Sequence, residues 1–114
     1  MIRRGEIYWV ELDPSMGAET QKTRPSVIIS NDQGNQFSSI VTILPVTSQV
    51  GKVYPFEVFV SRGEGGLKQD SKIMINQIRT TDKQRLKGGP LGFPLNLTTM
   101  DRIEQAIKLH LALK

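Results

Sequence analysis

The chain has 114 residues, with fifteen Lys+Arg against eleven Asp+Glu and a formal net charge of +4. That length predicts one domain with enough buried surface for a core that needs neither metal nor disulfide staples. No cysteine occurs, which removes disulfide frameworks, thiolate zinc sites, iron–sulfur clusters and cysteine nucleophiles together.

A hydrophobic content of 38% and a charged content of 23% fit a globular rather than a disordered chain. The first residues include Arg3 and Arg4 but meet Glu6 and Glu11 where a signal peptide needs an apolar stretch. No window approaches the ~20 apolar residues of a spanning helix. A cytoplasmic protein without membrane contact is therefore expected, and the missing cysteines fit a reducing compartment. The pI near 9.6 suits a polyanionic partner, and equally suits ordinary solubility charge; composition leaves both open.

In chain order, residues 6–12 (Glu-Ile-Tyr-Trp-Val-Glu-Leu) read as a strand ended by Asp13-Pro14. About eleven residues, from Asp13 to Thr23, then lead to Arg24-Pro25; a connection of that length in a compact domain is often functional. Residues 25–30 form a second apolar run, closed by the turn formers of residues 31–35. Residues 40–46 and 53–60 are further strands. Pro45 and Pro55, lacking a ladder N–H, predict an edge position or a strand end in each. Residues 61–66 read as a loop, and residues 71–78 as an alternating strand. Thr80-Thr81-Asp82 predicts an N-cap for a helix of one or two turns over residues 83–86, stopped by Gly88-Gly89-Pro90. Thr98 and Asp101 have the spacing of a capping box. Behind them Met100, Ile103, Ile107 and Leu111 form a helical stripe that predicts core packing. Short strands separated by turn chemistry, with helices coming late, predict an α+β chain that is mainly β, built as a small barrel or sandwich.

Candidate chemistry is limited. The single histidine, His110, rules out a two-histidine acid–base nuclease within one chain. Asp13, Glu19, Asp32, Glu57, Glu64 and Asp70 are scattered without metal-ligand spacing, so no metal site is expected. Gly63-Glu64-Gly65-Gly66 lacks the spacing and ending of a phosphate-binding loop and reads as a turn. What remains are polar groups at strand ends: Glu19, Arg24, Thr47, Ser48 and Gln77. Arg24 precedes a proline and is biased to an extended conformation. A guanidinium and a hydroxyl meeting there could hold one phosphate through forked and single hydrogen bonds. From chemistry alone a salt bridge for Arg24, a turn cap for Thr47 and a strand-surface place for Gln77 are equally open.

These residues carry a resemblance. Arg-Gly-Glu-Ile-Tyr-Trp-Val-Glu-Leu-Asp-Pro at the start looks like the opening of the MazF/PemK toxin endoribonucleases, as does Gly17-x-Glu19 followed by Arg24-Pro25. Ser30-Asn31-Asp32, Pro45-Val46-Thr47, Asn76-Gln77-Ile78-Arg79-Thr80 and residues 82–86 continue the match in order over nearly the whole chain. The resemblance implies a single toxin domain over residues 1–114, an SH3-like small β-barrel with a short helix and a C-terminal amphipathic helix. It implies a metal-independent, sequence-specific endoribonuclease acting on single-stranded RNA, without cofactor. The implied partners are a second copy of the chain and a MazE-like antitoxin, acidic and partly disordered. By position, Arg24 and Thr47 match the catalytic pair and Glu19 sits in the loop between the first two strands. Gln77 matches a base-contacting position, with Lys22, Ser48 and Thr20 as further candidate RNA contacts.

Without a metal, the ribose 2′-OH is the economical nucleophile, and the resemblance implies a 2′,3′-cyclic phosphate and a 5′-OH as products. Arg24 suits charge stabilisation and not base duty, because a guanidinium stays charged at neutral pH. Thr47 can add a hydrogen bond, and Glu19 is the candidate acceptor of the 2′ proton. Lys22, Lys52, Lys68 and Lys72 are candidate backbone contacts. The alternatives are a non-enzymatic toxin of the same fold binding a protein such as DNA gyrase, and a barrel that binds nucleic acid without chemistry.

Overall fold

The computed structural model describes residues 1–12 and 22–114. Seven strands and two helices follow one another as β1 (Ile7–Glu11), β2 (Thr23–Ile28), α1 (Asp32–Phe37), β3 (Ile40–Thr47), β4 (Glu57–Val60), β5 (Ser71–Met74), β6 (Arg79–Asp82), β7 (Leu86–Lys87) and α2 (Leu97–His110). All pairings are antiparallel, in the order β4-β5-β3-β2-β1-β7, with β6 also on β3. The α+β class is as expected. The strands do not close into a barrel among the described residues, however: β4 and β7 end the order without pairing to each other.

Strand β3 is the hub. One edge pairs with β2, and the other pairs first with β6, over Ile40 to Ile43, and then with β5, at Val46 and Thr47. Pro45 was expected at an edge or strand end and lies instead inside this central strand. It is tolerated because it falls where the partner changes from β6 to β5, so no ladder there needs its missing N–H. Pro55 precedes β4, the edge strand, as expected.

Side-chain alternation divides the core between the two sheet faces. One face carries Ile7, Val27, Leu44, Val46 and Ile73 beneath Met100, Ile103 and Ala106 of α2. The other carries Tyr8, Val10, Ile28, Val41 and Ile43. The α2 stripe is core as predicted up to Ile107, which is partly buried, whereas Leu111 caps the helix and is exposed. The cap at its start is Asn96, whose side chain accepts from the Thr99 N–H at 2.8 Å, and not Thr98.

Two local readings change. Residues 31–35 are the start of helix α1 rather than an open turn, because Asn31 Oδ1 takes the Gly34 N–H at 2.8 Å and caps it. Residues 83–85 make only a single 3₁₀ turn, capped by Asp82. Leu86 then pairs opposite Val10 in β7 and packs on the second core face, and so short a helix has little to set against that burial.

Tyr8 and Glu6 are both buried, and the Tyr8 hydroxyl donates to Glu6 Oε1 at 3.3 Å. Burial first, then the Glu6 charge and this hydrogen bond, push the Tyr8 phenol above its ordinary value of 10.0. A raised phenol pKa favours the protonated folded state, so the stability it confers is complete below pH ~10 and is lost as pH rises through the folded value. Urea unfolding should show stability falling above pH ~10, and Tyr8→Phe should flatten that part of the profile.

Candidate nucleic-acid interface and active site

The ladder between β2 and β3 stops at the Ser26–Pro45 pair. Pro25 is the next residue on β2 and has no N–H to continue the ladder. Each strand is still held on its far side: Val10 pairs opposite Arg24, and Lys72 opposite Thr47. Extending the β2–β3 register by two residues brings Arg24 opposite Thr47, and alternation puts both on the face of Ser26 and Pro45. That extension sets Arg24 and Thr47 on either side of the gap where the two strands part.

Their polar atoms are differently engaged. Arg24 is half-buried, and its Nε is fully buried with no hydrogen-bond partner among the described residues. A buried donor left unmade costs about 1–3 kcal/mol, which an incoming acceptor would recover. Thr47 is 9% exposed, and its Oγ1 accepts the Gln49 N–H at 3.1 Å. With that lone pair engaged, its O–H is left to donate. The salt bridge considered for Arg24 does not form among the described residues, whereas the turn cap considered for Thr47 does, without consuming its proton.

Next to Arg24 opens a cavity of about 570 Å³, walled by Trp9, Pro25, Val46, Leu67 and Leu91 and edged by Lys22, Lys68 and Ser48. Lys22 is exposed with a φ of 69°, and its carbonyl accepts from the Leu12 N–H at 2.9 Å. Ser48 is exposed and, by alternation, belongs to the face opposite Thr47. Gln77 ends a 3₁₀ turn, Ile75–Gln77, rather than sitting on a strand. Its Nε2 lies 3.5 Å from Met74 Sδ, on the strand that presents Lys72 opposite Thr47. Glu19 and Thr20 lie outside the described residues. His110 is exposed at the far end of α2 and does not line the cavity.

Sequence reading missed the wall beyond Thr47. Lys72, considered there as a backbone contact, pairs with Glu57 at 3.0 Å with side chains only 12% and 8% exposed. The Tyr54 and Phe56 rings stack with centroids 5.4 Å apart, and the Lys52 ammonium lies 5.1 Å from the Tyr54 ring centre. The signal was the run Tyr54-Pro55-Phe56-Glu57, which was absorbed into a strand. Among the described residues no three His, Asp or Glu side chains gather as a metal ion would require, and no helix is long and apolar enough to cross a membrane.

Comparison with known proteins agrees with this architecture. The model of the PemK-like, MazF-like toxins of type II toxin–antitoxin systems matches residues 3–111. Endoribonuclease MazF9 of Mycobacterium tuberculosis (strain ATCC 25618 / H37Rv) is 41% identical over 118 aligned residues, covering 99% of this chain and 98% of that protein. Endoribonuclease EndoA of Bacillus subtilis (strain 168) is 36% identical over 114 residues, covering 99% and 97%. A mycobacterial endoribonuclease solved with its cognate antitoxin superposes with a TM-score of 0.81 over 100% of this chain and 98% of that one, at 24% identity. The chain belongs to the PemK-like, MazF-like toxin family.

The Thr47 hydroxyl can be tested structurally first. Thr47→Val deprives the Gln49 N–H of its acceptor and should cost about 1 kcal/mol in urea unfolding while leaving the far-ultraviolet circular dichroism unchanged.

Proposed function

We propose that this chain is the endoribonuclease toxin of a toxin–antitoxin pair, cutting single-stranded RNA at particular sequences without a metal ion. What supports this reading is the β2–β3 register, which extended past its last pair sets Arg24 opposite Thr47, together with a buried Arg24 Nε that has no partner among the described residues. The pair fits one phosphodiester. The guanidinium faces two non-bridging oxygens and gains strength as charge builds on them in the phosphorane, and the Thr47 O–H adds a third donor.

The 2′-OH on the 3′-linked ribose attacks the adjacent phosphorus and loses its proton to Glu19. The P–O5′ bond breaks, the 5′-oxygen takes a proton from water, and the products are a 2′,3′-cyclic phosphate and a 5′-OH. Nothing in these steps asks Arg24 to give up a proton, since a guanidinium stays charged near neutrality. Gln77, with an amide donor and acceptor, reads a base edge. Lys22, Ser48 and Thr20 hold neighbouring nucleotides, which requires a single strand because a duplex hides the edges.

The toxin works as a homodimer and is silenced by an acidic, partly disordered antitoxin laid over the cationic cleft. The mycobacterial relative solved with its cognate antitoxin supports the second partner. The edges of β4 and β7, unpaired among the described residues, and the exposed Leu109, Leu111 and Leu113 support the first.

Arg24→Ala should cut a single-stranded target about 10²–10³-fold more slowly than the parent, the size of losing one preorganised transition-state donor. An equal rate would remove Arg24 from the reaction. Glu19→Gln tests the base: loss of the acidic limb of the pH–rate profile is expected, and an unchanged profile would assign the proton to water.

A further inference from the structure

The Lys72–Glu57 ion pair stands immediately beside the proposed site and takes no part in the chemistry just described. Lys72 is the cross-strand partner of Thr47 on one side of β5 and of Phe59 on the other. Glu57 pairs with Met74, so Glu57 and Lys72 are diagonal neighbours on one sheet face, within reach of each other's long side chains.

Both charged groups also hold the connection that leaves Thr47. Lys72 Nζ donates to the Lys52 carbonyl at 2.9 Å as well as to Glu57 Oε1 at 3.0 Å. The same Glu57 oxygen accepts the Tyr54 N–H at 3.1 Å, and the Glu57 N–H returns to the Tyr54 carbonyl at 2.8 Å. One carboxylate and one ammonium thus fasten residues 52–57 to the strand opposite Thr47. Tyr54 is 43% exposed, with its ring stacked on Phe56 and its centre 6.0 Å from the Lys72 ammonium.

A surface ion pair would be worth little and would not need these extra bonds. A pair this buried is chiefly a constraint: breaking it leaves a charge with poor solvation, while replacing both partners by apolar groups can be tolerated by the fold. The connection it constrains starts at the residue whose hydroxyl is proposed to grip the phosphate. Its exposed aromatic ring offers a stacking face to a neighbouring base.

We propose that the Lys72–Glu57 pair is a positioning device, fixing residues 48–56 as a wall along which the RNA strand lies beside Thr47. Lys72 and Glu57 are positioning residues that act through Lys52 and Tyr54. The inference rests on the reading of Arg24 and Thr47 as the phosphate grip.

The test uses the full-length protein and a single-stranded oligoribonucleotide carrying one 2′-deoxy residue at the mapped cut site, which binds without being cut. Glu57→Gln and the double variant Glu57→Leu/Lys72→Met should each weaken binding of this oligomer roughly ten- to a hundredfold by fluorescence anisotropy. In the free protein, amide hydrogens of residues 48–56 should exchange faster. With the all-ribo oligomer KM should rise with kcat within about threefold, because the chemical groups are untouched. The double variant keeps the test decisive if the single one fails to fold, since it leaves no unpaired charge.

Unchanged affinity and KM in a folded double variant would overturn the proposal, whatever its hydrogen exchange. A matched loss of kcat with KM constant would overturn it too, because the pair would then be acting on the reaction rather than on placement. Failure of the underlying reading shows up separately, as a parent protein that does not cut the all-ribo oligomer.

Discussion

The end of the β2–β3 ladder sets the terms for everything else in this molecule. An antiparallel ladder continues as long as its strands can donate, and Pro25 withdraws the β2 donor just past the Ser26–Pro45 pair where this one stops. The strands therefore part while each remains fastened to another neighbour, β2 to β1 and β3 to β5. A cleft made in this way is open yet rigid. Its lips are strand residues rather than loop residues, and side chains on strands are held more closely than those on loops. Arg24 and Thr47 occupy those lips, on one face and in one register.

How far the sequence reveals this depends on the element. The strands around Ile7, Val27, Leu44 and Ile73 and the apolar stripe of α2 are legible because burial imposes a period of two or of three to four on the side chains. Pro45 shows where such reading fails. A proline argues against a central strand when one assumes continuous partners on both edges, and β3 escapes by changing partner beside it. The short helix α1 hides behind turn-forming residues because Asn31 caps a helix with the same hydrogen bond that would otherwise close a turn.

For the site, Arg24 and Thr47 were legible by resemblance and by their place at strand ends, but their opposition follows from register, which no local pattern encodes. Gln77 was expected on a strand, which instead gives way to a 3₁₀ turn after Met74. Lys72 and Glu57 were not legible as a pair at all. They are fifteen residues apart in sequence, and only the alignment of β4 with β5 makes them diagonal neighbours. Tertiary context turned an ordinary lysine and a scattered carboxylate into a buried constraint.

The central claim is that one phosphodiester lies between Arg24 and Thr47 while the adjoining ribose supplies the nucleophile. The most direct measurement is the chemistry of the cut ends, read by mass spectrometry after incubating the protein with single-stranded RNA in excess EDTA. A 2′,3′-cyclic phosphate on one fragment and a free 5′-hydroxyl on the other is the predicted result. A 3′-hydroxyl with a 5′-phosphate, or cleavage abolished by the chelator, would contradict the account.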